Sequence, residues 1–363
     1  MNAVAEIIHR EIERAGPISF ARFMELALYS PDHGYYERQK NIGQRGDFYT
    51  SVSVGSLFGE LLAHQFADWL GEPGPRRGAP RQIVEAGAHD GRLARDILGT
   101  IESAHQSVFE GLEYWILEPS QIRRRWQEET LEAVAAKVRW FGSWETNPRG
   151  AVNGIIFSNE LLDALPVHRV FWSVARQKWL EWKVAAKNGE FSWTESAVEA
   201  GVVTPDLPTQ LLAFLPDGFT TEICPAAATW WGQASAALSR GKLLTIDYGL
   251  AEEEFFSPQR STGTARAFAG HHANNDLLRE PGEQDLTAQV NFSALQKVGE
   301  KAGLKTESLL GQAAFLTAIA ERQWKLRGDS PPWTQKQIRQ FQTLTHPEHL
   351  GRSFRVLIQG RSA

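Results

Sequence analysis

Cysteine is almost missing from this chain of 363 residues, where Cys224 stands alone. One thiol excludes an intrachain disulfide framework and any zinc site built on several cysteines, and it points to a reducing compartment. Between Glu222 and Pro225, at an apparent strand end, Cys224 reads as a small packed residue rather than a nucleophile. Long apolar runs are missing too, since none reaches the ~20 residues that span a bilayer. The N-terminal stretch MNAVAEIIHREIERAGPISF carries acids at helical spacing, unlike a signal h-region or an acid-poor transit peptide. A cytoplasmic protein of bacterial type is expected. There is no excess of positive charge either. The net charge is −5 and no basic run accompanies the tryptophan-rich stretch at 172–193, so no nucleic-acid partner is expected. The motifs G-x-S-x-G, G-x-x-x-x-G-K-[ST] and H-E-x-x-H do not occur, so the common hydrolase, NTPase and zincin readings lack their residues. His271 and His272, in AGHHANNDLL, read as solvated or hydrogen-bonding side chains, and no metal is expected. Internal repeats and low-complexity tracts are absent.

What is present describes a globular protein: 42% of residues are aliphatic or aromatic and 22% are charged. The length suits two domains or one large decorated one. Thirteen tryptophans are many, and Trp172, Trp179, Trp182 and Trp193 fall in one stretch, where indoles build core or an interface. Residues 1–80 are expected to form a helical extension with the loop NIGQRGDFYTS, ending in the proline- and glycine-rich linker GEPGPRRGAPR. Residues 81–167 alternate strand and helix, as a parallel α/β sheet requires, and the order returns over 219–363 with the strands KLLTIDYG and FRVLIQG. Residues 168–218 switch to the short alternating strands VHRVFWSV, KWLEWKV and EFSWTE, a β-rich insertion and a possible substrate or partner region. The fold class expected is α/β, a mostly parallel Rossmann-like sheet with helices on both faces.

The segment QIVEAGAHDGRLARDIL, residues 82–98, is the most informative. An apolar strand ends in Glu85 and passes through Gly87 and Gly91 into a helix with Leu93, Ile97 and Leu98 at helical spacing. Gly87 permits the tight turn, and Gly91 lets backbone approach a ligand and the helix pack on its strand. The second glycine of G-x-G-x-x-G is missing, and Asp90 would repel phosphate, which disfavours a dinucleotide. A sulfonium ligand without phosphate, S-adenosylmethionine, suits that polarity better. An ordinary strand-turn-helix connection without a ligand would use the same residues.

In an open parallel sheet, ligands bind beyond the carboxyl ends of the strands where strand order reverses. That rule collects Glu85, Gly87, Glu118, Ser120, Ser143, Trp144, Ser158, Asn159, Glu160, Asp247 and Tyr248 on one rim. Glu118, ending the strand of YWILEPS, is placed to accept from both ribose hydroxyls, and Trp144 to cover an adenine face, although a tryptophan after a strand is as often simply packed. In SNELLDALPVH, a helical turn starting at Glu160 would put Glu160 and Asp163 on one face, with both carboxylates toward a substrate cation. Helix capping and first-turn acid placement account for the same residues without a substrate.

With these segments in order, the chain resembles the MidA family of class I S-adenosylmethionine-dependent methyltransferases. The resemblance rests on YSPDHGYYERQKNIGQRGDFYTSVSVGSLFGELLA, EAGAHDGRL, ILEPSQIRRRWQEETL, SNELLDALPVHRV, LLTIDYGL, GTARAFAGHH, EPGEQDLTAQVNFSAL and HPEHLGRSFRVLIQGR, which run nearly end to end. It implies a class I methyltransferase fold, S-adenosyl-L-methionine as cofactor, and protein arginine methylation. Mitochondrial members of the family are implicated with complex I, so a respiratory complex I subunit is the implied protein substrate; a homodimer is also compatible. The resemblance implies that Gly46, Asp47 and Thr50 of GDFYTS close over the cofactor alongside Glu85, Gly87, Gly91, Glu118, Ser120, Trp144 and Asn159. Glu160 is then the first candidate for orienting the guanidinium and Asp163 the second. The family pattern has glycine at position 89 and T-A-H-V-D-F at 287–292, where this chain has His89 and TAQVNF; Gln289 and Asn291 do not titrate near neutral pH, so no proton transfer is expected there. An assembly protein that keeps this fold but acts by binding a client is the alternative from another functional class. A nucleotide-dependent oxidoreductase is a third, disfavoured by the loop.

Overall fold

A computed structural model describes residues 2–38, 50–71, 80–146, 150–269, 272–326, 333–351 and 353–362. The chain divides into two compact units, one comprising Lys40–Leu162, Trp230–Gly249 and Ala294–Ala363, the other Met1–Gln39, Asp163–Thr229 and Leu250–Ser293.

The first unit is built on strands β1 (Arg81–Ala86), β2 (Leu112–Leu117), β3 (Val138–Phe141), β4 (Val152–Asn159), β5 (Leu238–Leu250), β6 (Lys305–Gly311) and β7 (Phe354–Arg361). They lie in the order β3-β2-β1-β4-β5-β7-β6. Strands β1 to β5 pair in parallel, and β7 runs antiparallel to both β5 and β6. This is the expected α/β sheet, and its continuous apolar runs follow from burial on both faces. Ile83 lies opposite Ile155 and, one residue on, Val84 lies opposite Ile156; all four are buried. On one face, the helices Leu57–Gly71, Arg92–Ala104, Gln312–Leu326 and Gln335–Thr345 supply Leu62, Phe66, Ile97, Leu98, Leu316, Ile319 and Leu344 to a single apolar cluster with Ile83, Ile155 and Phe157. Each fully buried side chain of this size stabilises by roughly 1.5–3 kcal/mol. The strand order reverses between β1, which continues to β2, and β4, which continues to β5. Loops beyond the carboxyl ends of β1 and β4 therefore border the crevice where an open sheet takes a ligand.

The second unit is antiparallel. Strand Lys178–Lys187 is paired on one side with His168–Ser173 and on the other with Glu190–Ser196, as the three alternating segments predict. Helix Ala3–Ala15 begins where Asn2 accepts from Ala5 N–H, and helix Phe20–Tyr29 where Ser19 accepts from Arg22 N–H. Their apolar faces meet the sheet: His9 stacks on Phe191, Phe23 meets Phe191 edge-on and Phe20 contacts Trp193. Trp172 is buried in a cluster with Phe219, Phe255 and Phe256, so the tryptophan-rich stretch contributes to core.

These units divide the chain differently from the expected partition at 80, 167 and 218. Residues 1–39 join the antiparallel sheet because Ile18 pairs with Val184. Residues 250–293 join it through Thr220 N–H to Ser261 O and through buried Glu222, which accepts from Thr264 N–H and Oγ1–H. Both ties are long-range and leave no local composition signal. Among the described residues, no helix is long and apolar enough to cross a membrane.

Candidate active site

The glycine loop after β1 takes three left-handed residues, Gly87 at φ 78°, His89 at φ 47° and Gly91 at φ 83°. A Cβ on Gly87 would lie 3.1 Å from Leu161 Cδ1, and one on Gly91 would lie 3.3 Å from Gln127 Cα, so a side chain at either position would also press on its neighbour. The position where the family has glycine is itself left-handed. His89 accepts that conformation at a cost of about 1–2 kcal/mol, held by Trp126 edge-on at 5.7 Å between ring centroids and by Gln127 Nε2, which donates to His89 O at 3.0 Å. Asp90 accepts from Arg92 N–H and pairs with Arg92 Nε at 2.6 Å, opening the helix Arg92–Ala104. Arg92 balances its negative charge, so Asp90 alone does not decide against a phosphate.

Glu85 is buried, with Tyr114 donating to its Oε2 at 2.7 Å. Burial pushes its carboxyl up to about 8 against the opposing effect of Tyr114, and Asp90 adds to the rise. Glu118 is buried beyond the end of β2 and accepts from Ser120 N–H, Arg123 and Gln127. Ser120 also caps helix Gln121–Thr130, its Oγ accepting from Arg123 N–H. Trp144 is buried against Trp230, 6.0 Å between centroids, and its Nε1 finds no acceptor among the described residues.

The segment after β4 does not begin a helix, so Glu160 and Asp163 do not share a helical face as a turn starting at Glu160 would require. Glu160 instead adopts φ 51°, a left-handed conformation that costs a non-glycine residue of order 1–3 kcal/mol. The surroundings impose it. Glu160 N–H continues the ladder to Ile246 O, and the next two amides, of Leu161 and Leu162, both turn onto Asp247 Oδ2 at 3.2 and 2.8 Å. Asp247, fully buried, also accepts from its neighbour Tyr248 N–H. It is a structural clamp that the rim rule could not separate from site residues. Glu160 Oε1 accepts from Asn159 Nδ2 at 3.0 Å and from Ser51 N–H at 2.9 Å, at the start of helix Ser51–Val54. Capping is therefore real, but of a distant helix rather than its own. Thr50 caps that same helix in a reciprocal pair with Ser53. Asn159 Oδ1 is buried without a partner among the described residues.

Asp163 belongs to the second unit, where it is buried and its backbone oxygen accepts from Ala288 N–H. Half-buried Tyr36 lies in the same unit and donates to Asp285 Oδ1 at 2.8 Å. Burial, Asp285, Tyr29 and Asp163 together push the Tyr36 phenol well above its ordinary range, so it stays a donor. Tyr36 and Asp285 were not singled out from sequence, although HGYYERQ and EQDLTAQVNF, the blocks that contain them, were. Gly46 and Asp47 lie outside the described residues.

The family profile described as "Putative S-adenosyl-L-methionine-dependent methyltransferase" matches residues 61–310. The chain belongs to that methyltransferase family. It is 28% identical over 390 residues to the Drosophila melanogaster "Protein arginine methyltransferase NDUFAF7 homolog, mitochondrial", covering 98% of this chain and 84% of that protein. The Homo sapiens "Protein arginine methyltransferase NDUFAF7, mitochondrial" is 28% identical over 378 residues, covering 95% and 80%. Among solved structures, a Burkholderia thailandensis superfamily member bound to S-adenosyl-homocysteine has a TM-score of 0.83 at 30% identity, covering 99% of this chain and 92% of that one. The sheet is accordingly that of a class I methyltransferase, and S-adenosyl-L-methionine is the cofactor.

The residues of the first unit fit that cofactor. Two polar atoms, Trp144 Nε1 and Asn159 Oδ1, are buried without partners among the described residues, a condition that costs about 1–3 kcal/mol per group unless a ligand relieves it. Gly87→Val, which forces a branched residue into a left-handed turn against Leu161, is expected to abolish the thermal shift produced by saturating S-adenosyl-homocysteine. A shift equal to that of the unmodified protein would separate this loop from cofactor binding.

Proposed function

We propose that this methyltransferase transfers the methyl group of S-adenosyl-methionine to an arginine of a protein, and that the acceptor is a basic segment of a respiratory complex I subunit. The observation that carries this reading is the near full-length similarity to proteins named as protein arginine methyltransferases. In this reading Glu85, Gly87, Gly91, Glu118, Ser120, Trp144 and Asn159 hold the cofactor, together with Gly46, Asp47 and Thr50. The cofactor supplies an electrophilic methyl on a sulfonium. The acceptor is the difficult partner, because a guanidinium with pKa above ~12 is a poor nucleophile while protonated. Carboxylates must orient it, balance its charge and assist proton loss as the methyl moves, and positioning within roughly 3–3.5 Å supplies most of the acceleration. Glu160 is assigned that role first and Asp163 second.

The test uses an extract of the protein's own host with its gene deleted. Incubated with the protein and labelled cofactor, the extract is expected to yield label on arginine of a polypeptide, located by mass spectrometry. Label confined to nucleic acid or small molecules would overturn the protein-arginine assignment. No label despite measurable cofactor binding would favour a binder that retains the fold.

A further inference from the structure

We propose that Arg123 competes with the cofactor ribose for Glu118, so that binding requires Arg123 to leave and Arg123 sets the affinity. This rests on the reading above that Glu118 is the ribose acceptor. Glu118 Oε1 already receives Ser120 N–H at 2.9 Å, Arg123 Nε at 3.0 Å and Arg123 Nη2 at 2.9 Å; Oε2 receives Gln127 Nε2 at 3.0 Å. An ionised carboxylate has about four lone-pair sites, two per oxygen. Oε1 is thus saturated while Oε2 retains one site, and a diol that engages both oxygens cannot be added to this arrangement.

Of the donors present, two cannot move away cheaply. Ser120 N–H is backbone at the start of helix Gln121–Thr130. Gln127 is fully buried, and beyond Glu118 it donates to His89 O and accepts from Trp140 Nε1. Arg123 reaches Glu118 through the nitrogens of a side chain rather than through backbone. Its side chain is 11% exposed against 2% for Glu118, and it has the length to swing off the carboxylate. Loss of this desolvated charge pair is a cost that the ribose contacts must offset, so the pair holds Glu118 ready while lowering affinity.

The proposal predicts opposite effects on affinity and stability from one change. Arg123→Met, which keeps an unbranched stem without the guanidinium, is expected to lower the Kd for S-adenosyl-homocysteine by at least about tenfold in calorimetry, while lowering the melting temperature of the unliganded protein. A residue that merely braces Glu118 would lower both affinity and stability. Arg123→Lys, which keeps the charge but loses the two-nitrogen fork, is expected to fall between. A crystal structure of the unmodified protein with S-adenosyl-homocysteine should show the guanidinium more than about 4 Å from Glu118, outside ion-pair range. If Glu118→Gln weakens binding but Arg123→Met leaves it unchanged or weaker, the competition proposal fails alone. If Glu118→Gln has no effect on affinity, the ribose-acceptor reading fails and the proposal with it.

Discussion

Glu160→Gln is expected to lower methyl transfer by a factor on the order of 10² or more while leaving affinity for S-adenosyl-homocysteine unchanged. The substitution is close to isosteric, and the amide oxygen of Gln can still accept from Ser51 N–H and Asn159 Nδ2, the two bonds now made by Glu160 Oε1. The backbone at φ 51° asks no more of Gln than of Glu, so stability should hold. Only the negative charge and its proton-accepting capacity are lost. A guanidinium in transfer needs both, because its developing alkylated cation must be balanced and a proton removed. Single-turnover transfer from labelled cofactor, measured beside a calorimetric affinity, separates the two possibilities. Transfer at a near-original rate would make Glu160 a structural partner of helix Ser51–Val54 and move the active centre elsewhere, with Asp163 next in line.

The strained backbone at Glu160 also marks the limit of what sequence conveys. The strands on either side of the glycine loop were legible because burial on both faces writes itself as apolar runs such as QIVEA and GIIF, and Gly87 and Gly91 because a left-handed turn favours one residue type. The conformation of SNELLDALP was not legible. Short polar residues after a strand read as a capped helix start, yet Asp247, 86 residues downstream of Leu161, takes two successive amides and turns the chain the other way. The same holds for Asp163. Proximity in sequence suggested that it shares a helical face with Glu160, whereas its place with Tyr36 and Asp285 is set by contacts across more than a hundred residues. At Glu118 the type of residue was readable and its occupancy was not, since an arginine in the first turn of the following helix carries no sign of where its guanidinium rests.

Stability of the unliganded protein is expected to fall as pH rises from about 4.5 to about 8, and Glu85→Gln is expected to remove that part of the dependence. The cause is the buried carboxyl of Glu85, raised from 4.5 to about 8 by burial. Below 4.5 it is protonated in both the folded and unfolded chains and contributes its full stability. Between the two values the unfolded chain ionises while the folded one keeps its proton, so the folded state binds more protons and stability declines with pH. Above about 8 both are ionised and the loss levels off. At about 1.4 kcal/mol per unit, the effect amounts to several kcal/mol, large beside a domain stability of roughly 5–15 kcal/mol. Gln at this position carries no such proton and can still accept from Tyr114, so the variant should match the parent near pH 5 and exceed it in melting temperature at pH 8. Cofactor binding should act in reverse. The sulfonium and ammonium of S-adenosyl-methionine favour the ionised carboxylate, so in the parent binding should release a proton near pH 7, seen as a calorimetric enthalpy that varies with buffer ionisation enthalpy. In Glu85→Gln that variation should disappear. Identical pH–stability curves for parent and variant would show that Glu85 is already ionised in the folded protein, and an unchanged proton release would place the responsible group elsewhere.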